Sequence, residues 1–158
     1  MTLDVQDQIR LARPGQSRAV RNCVRAAYAR YVERIGREPA PMSADYDNLI
    51  ARGTVYVLQP RDLEEVYGVL VLRADAHVLW IDNIAVCPEH QHRGYGRQLL
   101  GFAEQQAREA RLMELSLYTH ELMVENIRLY THVGYVEVDR RLDDGFPRVF
   151  MSKHLGPK

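Results

Sequence analysis

The chain has little cysteine, almost no lysine and no net charge, and each shortage removes a class of protein. Its two cysteines, Cys23 and Cys87, form no C-x-x-C pair, and two are too few for a disulfide framework. Its 21 basic residues are offset by 21 acidic ones. That leaves no basic excess of the kind that grips a nucleic-acid backbone, so no nucleic-acid partner is expected. Lys153 and Lys158 are the only lysines, the other basic residues being arginine. This pattern reads as compositional bias. No apolar run approaches the ~18 residues of a membrane span, so no membrane partner is expected. Residues 1–7 hold neither a basic cluster nor an apolar run, which excludes a signal peptide from the expectations. A cytoplasmic location is the default. The histidines, His77, His90, His92, His120, His132 and His154, show no ligand spacing beyond His90-x-His92 on a loop, and no metal is expected.

What is present suits one ordinary domain over residues 1–158. A chain of this length buries roughly 70% of the surface its unfolded form exposes, so it needs no staple. A first strand is expected over 8–11, ended by Pro14-Gly15. Val20, Val24, Ala27, Tyr28, Tyr31, Val32 and Ile35 fall at helical spacing and predict a helix over 17–35, with Ser17 as N-cap and Gly36 as its stop. Cys23 lies on its core face. A loop over 36–44, stiffened by Pro39 and Pro41, leads to a short helix over 45–51. Strands are expected over 54–58, 66–72 and 78–86, with turns at 59–62 and 74–76. Residues 66–72 are apolar on both faces, as in a central strand. A helix over 97–111, a strand over 113–118 with Met113, Leu115 and Leu117 inward, and a helix over 125–133 closed by Gly134 follow. Strands over 135–138 and 148–151 end the chain. The order β-α-α-β-β-β-α-β-α-β-β predicts an α/β (α+β) fold with a mixed sheet flanked by helices.

Chemistry concentrates where the strand ending at Val86 leads through Gln91-His92-Arg93-Gly94-Tyr95-Gly96-Arg97 into a helix. Glycine lets backbone N–H groups turn toward one point without a Cβ in the way. A helix start adds unpaired N–H groups and the positive end of its dipole. Together these make a nest for a phosphate or pyrophosphate, and Arg93 and Arg97 can add charge-assisted bonds. Read alone, Gly94-x-Gly96 is equally a tight strand-to-helix turn. A dinucleotide fingerprint needs a third glycine, where Leu99 stands.

The spacing from Val86 to Gln91-x-x-Gly94-x-Gly96 resembles the acetyl-CoA motif of the GCN5-related N-acetyltransferases. Glu125-Asn126-Ile127-Arg128-Leu129-Tyr130, running to Gly134-Tyr135, resembles that superfamily's second motif. The element order matches as well. The resemblance implies a mainly antiparallel sheet whose splayed strands form an acetyl-CoA cleft. It implies that Ile84, Ala85 and Val86 hold the pantetheine arm by backbone hydrogen bonds. Gln91, His92, Arg93, Gly94, Tyr95, Gly96 and Arg97 would hold the pyrophosphate, and His92 has no evident part beyond the surface. Asn126 would bond the arm, and Tyr130 would lie at the thioester sulfur. The implied activity is transfer of acetyl from acetyl-CoA, as co-substrate, to a primary amine of a small molecule or peptide by direct attack in a ternary complex. The other reading is a non-catalytic acyl-CoA sensor or interaction protein on the same fold.

An amine must lose a proton and the leaving thiolate must gain one. Tyr130, a neutral phenol at pH 7, is the expected general acid. Relatives often place a base where Asn83 stands, and an amide can hold a water but not accept the proton. Asp82 is the carboxylate candidate for base, with a structural carboxylate as its bland reading; Glu125 and Tyr118 are weaker. The loop over 37–46 is expected to shape the acceptor pocket, with Met42 and Tyr46 lining it and Asp45 either drawing a cation or capping the helix. Cys87, beside Pro88, is not read as a nucleophile. The last strands leave an edge on which a homodimer can form.

Overall fold

A computed structural model describes residues 7–61 and 63–156. Residues 1–6 of the segment read for a signal peptide, and Asp62 of the expected turn at 59–62, lie outside the described residues, as do residues 157–158. The strands are β1 (Asp7–Leu11), β2 (Val55–Pro60), β3 (Gly68–Asp75), β4 (Val78–Val86), β5 (Glu114–His120), β6 (Val136–Asp143) and β7 (Phe146–His154). The helices are α1 (Ser17–Ile35), α2 (Tyr46–Ala51), α3 (Tyr95–Glu109) and α4 (Val124–Val133), with short 3-10 turns at Pro14–Gln16, Ala40–Ser43 and Pro88–His90. The strands form one seven-stranded sheet in the order β1-β2-β3-β4-β5-β7-β6. The pairs β1–β2, β2–β3, β5–β7 and β6–β7 are antiparallel, and β4–β5 is parallel. The mixed, mainly antiparallel sheet expected from the sequence is therefore present. No helix among the described residues is long and apolar enough to cross a membrane.

The chain divides into two compact units, one of Met1–Leu72 with Asn83–Phe102 and one of Arg73–Asp82 with Ala103–Lys158. In the first, α1 buries Val20, Cys23, Val24, Tyr28 and Tyr31, the face its spacing predicts. Cys23 and Cys87 are both free and buried, their sulfurs 2.7 Å apart. In β3, Gly68–Leu72 is buried without interruption, as a central strand should be. A polar knot closes the other end of this unit. The Gln16 amide donates to Gln59 Oε1 at 2.8 Å, and Arg10 reaches the same oxygen at 3.1 Å. In the second unit the parallel ladder pairs Val78–Ile81 with Glu114–Leu117. Leu115 and Leu117 are buried there, but so is Ser116 between them, and Met113 is 46% exposed, so the expected alternation is not kept.

Several boundaries differ from expectation for physical reasons. Gln16 rather than Ser17 holds the N-cap position of α1, because the preceding 3-10 turn runs directly into the helix. Gln59 and Pro60 extend β2 instead of turning: Pro60 pairs with Asp7 at the strand's end, where a missing N–H costs little. β3 reaches Asp75, taking in residues of the turn expected at 74–76. β6 and β7 are about twice the expected length. Most of β6 is exposed on both faces, so it carries no apolar alternation to read.

Gly68 sits where β2, β4 and α3 converge. A Cβ there would lie 3.1 Å from Leu99 Cδ1 and 3.2 Å from the Ala85 carbonyl oxygen, and backbone cannot retreat cheaply. Gly68→Ala should therefore destabilise the protein by about 1–3 kcal/mol through overpacking. An unchanged urea midpoint would show that the contact relaxes freely.

Candidate active site

In the first unit, strand, connecting loop and helix follow one another as the sequence leads one to expect. β4 ends at Val86, the 3-10 turn over Pro88–His90 redirects the chain, and α3 starts at Tyr95, two residues earlier than its spacing suggests. His92 has φ 66° and Gly94 has φ 81°. Arg93 lies between these two left-handed residues, an alternation that turns successive N–H groups to one concave side. The first bond of α3 runs from Gln98 N–H to the Gly94 carbonyl at 3.1 Å. The N–H groups of Tyr95, Gly96 and Arg97 precede it and have no acceptor within the helix. His92, Arg93 and Arg97 are exposed, and the Arg93 side chain bonds that of Tyr95. Gln91 closes the loop from within: its side-chain amide donates to the Val86 carbonyl at 3.0 Å. His92, without a role in the sequence reading, is the residue that takes the left-handed turn before Gly94. A non-glycine residue there costs free energy that the surroundings must offset.

Upstream in the same unit, Asn83 is buried, 7% exposed. Its Oδ1 accepts from the Tyr28 hydroxyl at 2.8 Å, and its Nδ2 donates to the Tyr46 hydroxyl at 3.0 Å. Tyr46 in turn donates to the Pro41 carbonyl at 2.6 Å. Asn83 thus ties α1 and the 40–46 loop to β4. The Tyr28 hydroxyl also lies 3.3 Å from the Ile84 carbonyl. Ala85 is buried, and Ile84 and Val86 are half-buried. Met42 is buried at 5% exposure and Tyr46 at 1%, so both are core residues of this loop. Asp45 caps α2, accepting from Asn48 N–H at 3.1 Å, which is the plainer of its two readings.

In the second unit, both oxygens of Asp82 accept from Arg73, from Nε at 2.9 Å and from Nη2 at 3.1 Å, and Arg73 also stacks over Trp80. Burial pushes the Tyr118 hydroxyl above its ordinary value, and Arg148, 4.2 Å above its ring, pulls the other way. On α4, Asn126 and Tyr130 are four residues apart and so share a face. Tyr130 is buried at 5% exposure, its ring 6.1 Å from that of Tyr135. Asn126 donates a weak bond to Met123 Sδ at 3.7 Å. Gly134, at φ 111°, closes α4 as expected. The Tyr135 hydroxyl is buried without a partner. A cavity of about 340 Å³ in this unit is lined by Trp80, Glu114, Ser116, Arg141 and Phe150 among others, and by none of the expected site residues. No cluster of three or more His, Cys, Asp or Glu residues suited to a metal is found among the described residues.

Two features of this region were not read from the sequence. Tyr28 and Tyr46 act as hydrogen-bond partners of Asn83, whereas helical spacing marks Tyr28 only as core. Tyr67 and His90 stack beside the Gln91–Arg97 loop with ring centroids 3.8 Å apart, and the only signal was an aromatic just before the strand beginning at Gly68.

The model of the acetyltransferase (GNAT) family matches residues 21–135, more than half of the sequence, and the chain belongs to that family. No curated protein sequence matches it. Among solved structures it is similar to the PaiA N-acetyltransferase of Thermoplasma acidophilum in complex with coenzyme A, at TM-score 0.79 and 18% identity over 94% of this chain and 98% of that one. It is similar to the ribosomal-protein-S18-alanine N-acetyltransferase of Escherichia coli, at TM-score 0.74 and 17% identity over 96% of each chain. A GNAT family acetyltransferase from Elizabethkingia anophelis with acetyl-CoA bound matches at TM-score 0.68 and 18% identity, over 96% and 100% of the two chains.

The buried Tyr46 hydroxyl gives the first unit an alkaline limit. Burial raises its pKa above the ordinary tyrosine value, with the Asn83 bond opposing. The neutral phenol is therefore favoured in the folded state. Its contribution is complete below about pH 10, the unfolded value, and is lost as pH rises from there toward the raised folded value. The melting temperature of the wild type should fall between pH 9.5 and about 11, and Tyr46→Phe should fall less steeply over that window. Parallel curves would remove Tyr46 from the effect.

Proposed function

We propose that the protein is an acetyl-CoA-dependent N-acetyltransferase that passes the acetyl group to a primary amine of a small molecule or peptide by direct attack in a ternary complex. The observation that carries this is the loop from Gln91 to Arg97. Its alternating left-handed residues and the free N–H groups at the start of α3 fit a diphosphate. Acetyl-CoA supplies an activated thioester. Ile84, Ala85 and Val86 offer backbone groups to its pantetheine arm, beyond the end of the β4–β5 ladder at Ile81. Gln91, His92, Arg93, Gly94, Tyr95, Gly96 and Arg97 hold the diphosphate by backbone N–H groups and by two guanidinium charges. Asn126 bonds the arm. Family membership and neighbours solved with coenzyme A or acetyl-CoA support the donor. The similar structure of a ribosomal-protein-S18-alanine N-acetyltransferase supports an amine acceptor.

The proton steps fall to few groups. As the amine nitrogen bonds to the acetyl carbon and the carbon–sulfur bond breaks, Tyr130 gives its phenolic proton to the leaving sulfur. General acid help of this kind is worth roughly 10²–10⁴-fold. Asn83 acts through the loop it holds, as a positioning residue. Both oxygens of Asp82 pair with Arg73, so a proton taken there would weaken that ion pair, and the amine's own loss of a proton before attack is the favoured route.

Acetyl-CoA at ~100 times its dissociation constant should add about 2.7 kcal/mol of stability and raise Tm by several degrees, with NAD and ATP as controls. No rise from a folded sample would overturn the donor. With an accepted amine in hand, Tyr130→Phe should bind acetyl-CoA normally and turn over about 10²-fold more slowly; equal turnover would remove it as the acid. Asp82→Asn should keep the wild-type pH–rate profile, and loss of the alkaline-rising limb would instead make Asp82 the base.

A further inference from the structure

We propose that Tyr67 is a positioning residue for the diphosphate loop, a clamp that fixes both ends of the segment from Gln91 to Gly94; this rests on the acetyl-CoA function proposed above. The Tyr67 ring stacks on His90, the residue before the loop, with centroids 3.8 Å apart and planes 28° apart. It also stacks on Tyr95, the residue after the loop, at 5.9 Å and 26°. One ring therefore holds the entry and the exit of the loop.

The clamp is itself anchored. Tyr67 N–H donates to the Leu58 carbonyl on β2 at 2.8 Å, and its own carbonyl accepts from Cys87 N–H at 2.9 Å. Each outer ring has a further tether. The Tyr95 hydroxyl donates to Asp7 Oδ2 at 2.9 Å, and His90 Nε2 lies 3.7 Å from Glu65. All of these groups belong to the first unit.

The loop needs such a holder. His92 sits at φ 66°, a conformation that a residue with a Cβ keeps only when its surroundings over-determine it. Offset stacking supplies rigid contacts with defined geometry, and none of the three rings has to touch the ligand. With both ends fixed, the N–H groups already converge, and a bound diphosphate does not have to order them. Preorganisation of this kind appears as affinity. Without the Tyr67 ring the loop can relax toward negative φ at His92, and each binding event must then restore the nest.

The test is calorimetric binding of coenzyme A to wild type, Tyr67→Phe, Tyr67→Leu and Tyr67→Ala, with amide hydrogen exchange of the same proteins free of ligand. Tyr67→Phe keeps the flat face and should bind as wild type does. Tyr67→Ala should bind at least ~10-fold more weakly, equivalent to about 1.4 kcal/mol, with faster exchange confined to residues 88–97. Tyr67→Leu keeps the bulk without the flat face and gives the same answer if the alanine variant fails to fold. Unchanged affinity in the folded Ala or Leu variant overturns the clamp. So does weaker binding with exchange accelerated throughout the chain, since that marks general loss of stability. A wild type that does not bind coenzyme A overturns the donor, and the clamp with it.

Discussion

Between Val86 and Tyr95 the backbone must change from an extended strand to a helix while His92 and Gly94 hold positive φ. That conversion is the constraint on which the candidate site depends. A strand presents its N–H groups sideways, and a helix start presents them along its axis. A short connection with alternating handedness can aim both kinds at one point. Glycine makes the turn cheap at position 94, but position 92 carries a side chain, and its cost is met by neighbours. The Gln91 amide secures the loop to the Val86 carbonyl, and the stacked rings of His90, Tyr67 and Tyr95 surround it. The close approach at Gly68 packs β3 against Ala85, just before this turn, and Leu99, just after it.

What the sequence makes legible follows from periodicity. α1 matches its expected limits, Ser17–Ile35, because seven apolar positions repeat at helical spacing before a glycine stop. β4 matches Val78–Val86 because a run rich in strand-forming residues ends before Pro88, and its burial then alternates along the strand. The element order needs no more than these signals and turn residues. What escapes lacks a local signal. β6 reads as a short strand because Asp139, Arg140 and Arg141 give no apolar alternation, yet cross-strand pairing with β7 carries it to Asp143. Gln59-Pro60 has turn composition, but pairing to β1 and the buried bonds of Gln59 keep it extended.

The site divides in the same way. The loop and its helix are visible in sequence because strand, glycine and helix are contiguous. The partners of Asn83 are not, because Tyr28 and Tyr46 meet it only when α1 and the 40–46 loop fold onto β4. A buried amide with both ends bonded to buried hydroxyls is a demanding arrangement, since removing one member leaves the others unsatisfied. It ties the 40–46 loop and α1 to β4. In the same manner, pairing with Arg73 commits the Asp82 carboxylate.

Those commitments bear on which amine the proposed enzyme serves. Attack requires a neutral nitrogen, and neither Asn83 nor the paired Asp82 is placed to take its proton cheaply. The acceptor's own ionisation then sets the reactive fraction. An α-amino group with pKa near 7.8 is about 14% neutral at pH 7, whereas a lysine side chain near 10.4 is about 0.04% neutral. The difference is roughly several hundredfold in reactive acceptor, comparable to what a dedicated base contributes. If the proposed enzyme uses neither residue as a base, an amine of low basicity, such as a peptide N-terminus, offers far more reactive acceptor than a lysine side chain. On the proposed mechanism the protein then supplies one proton donor, Tyr130, at the leaving sulfur.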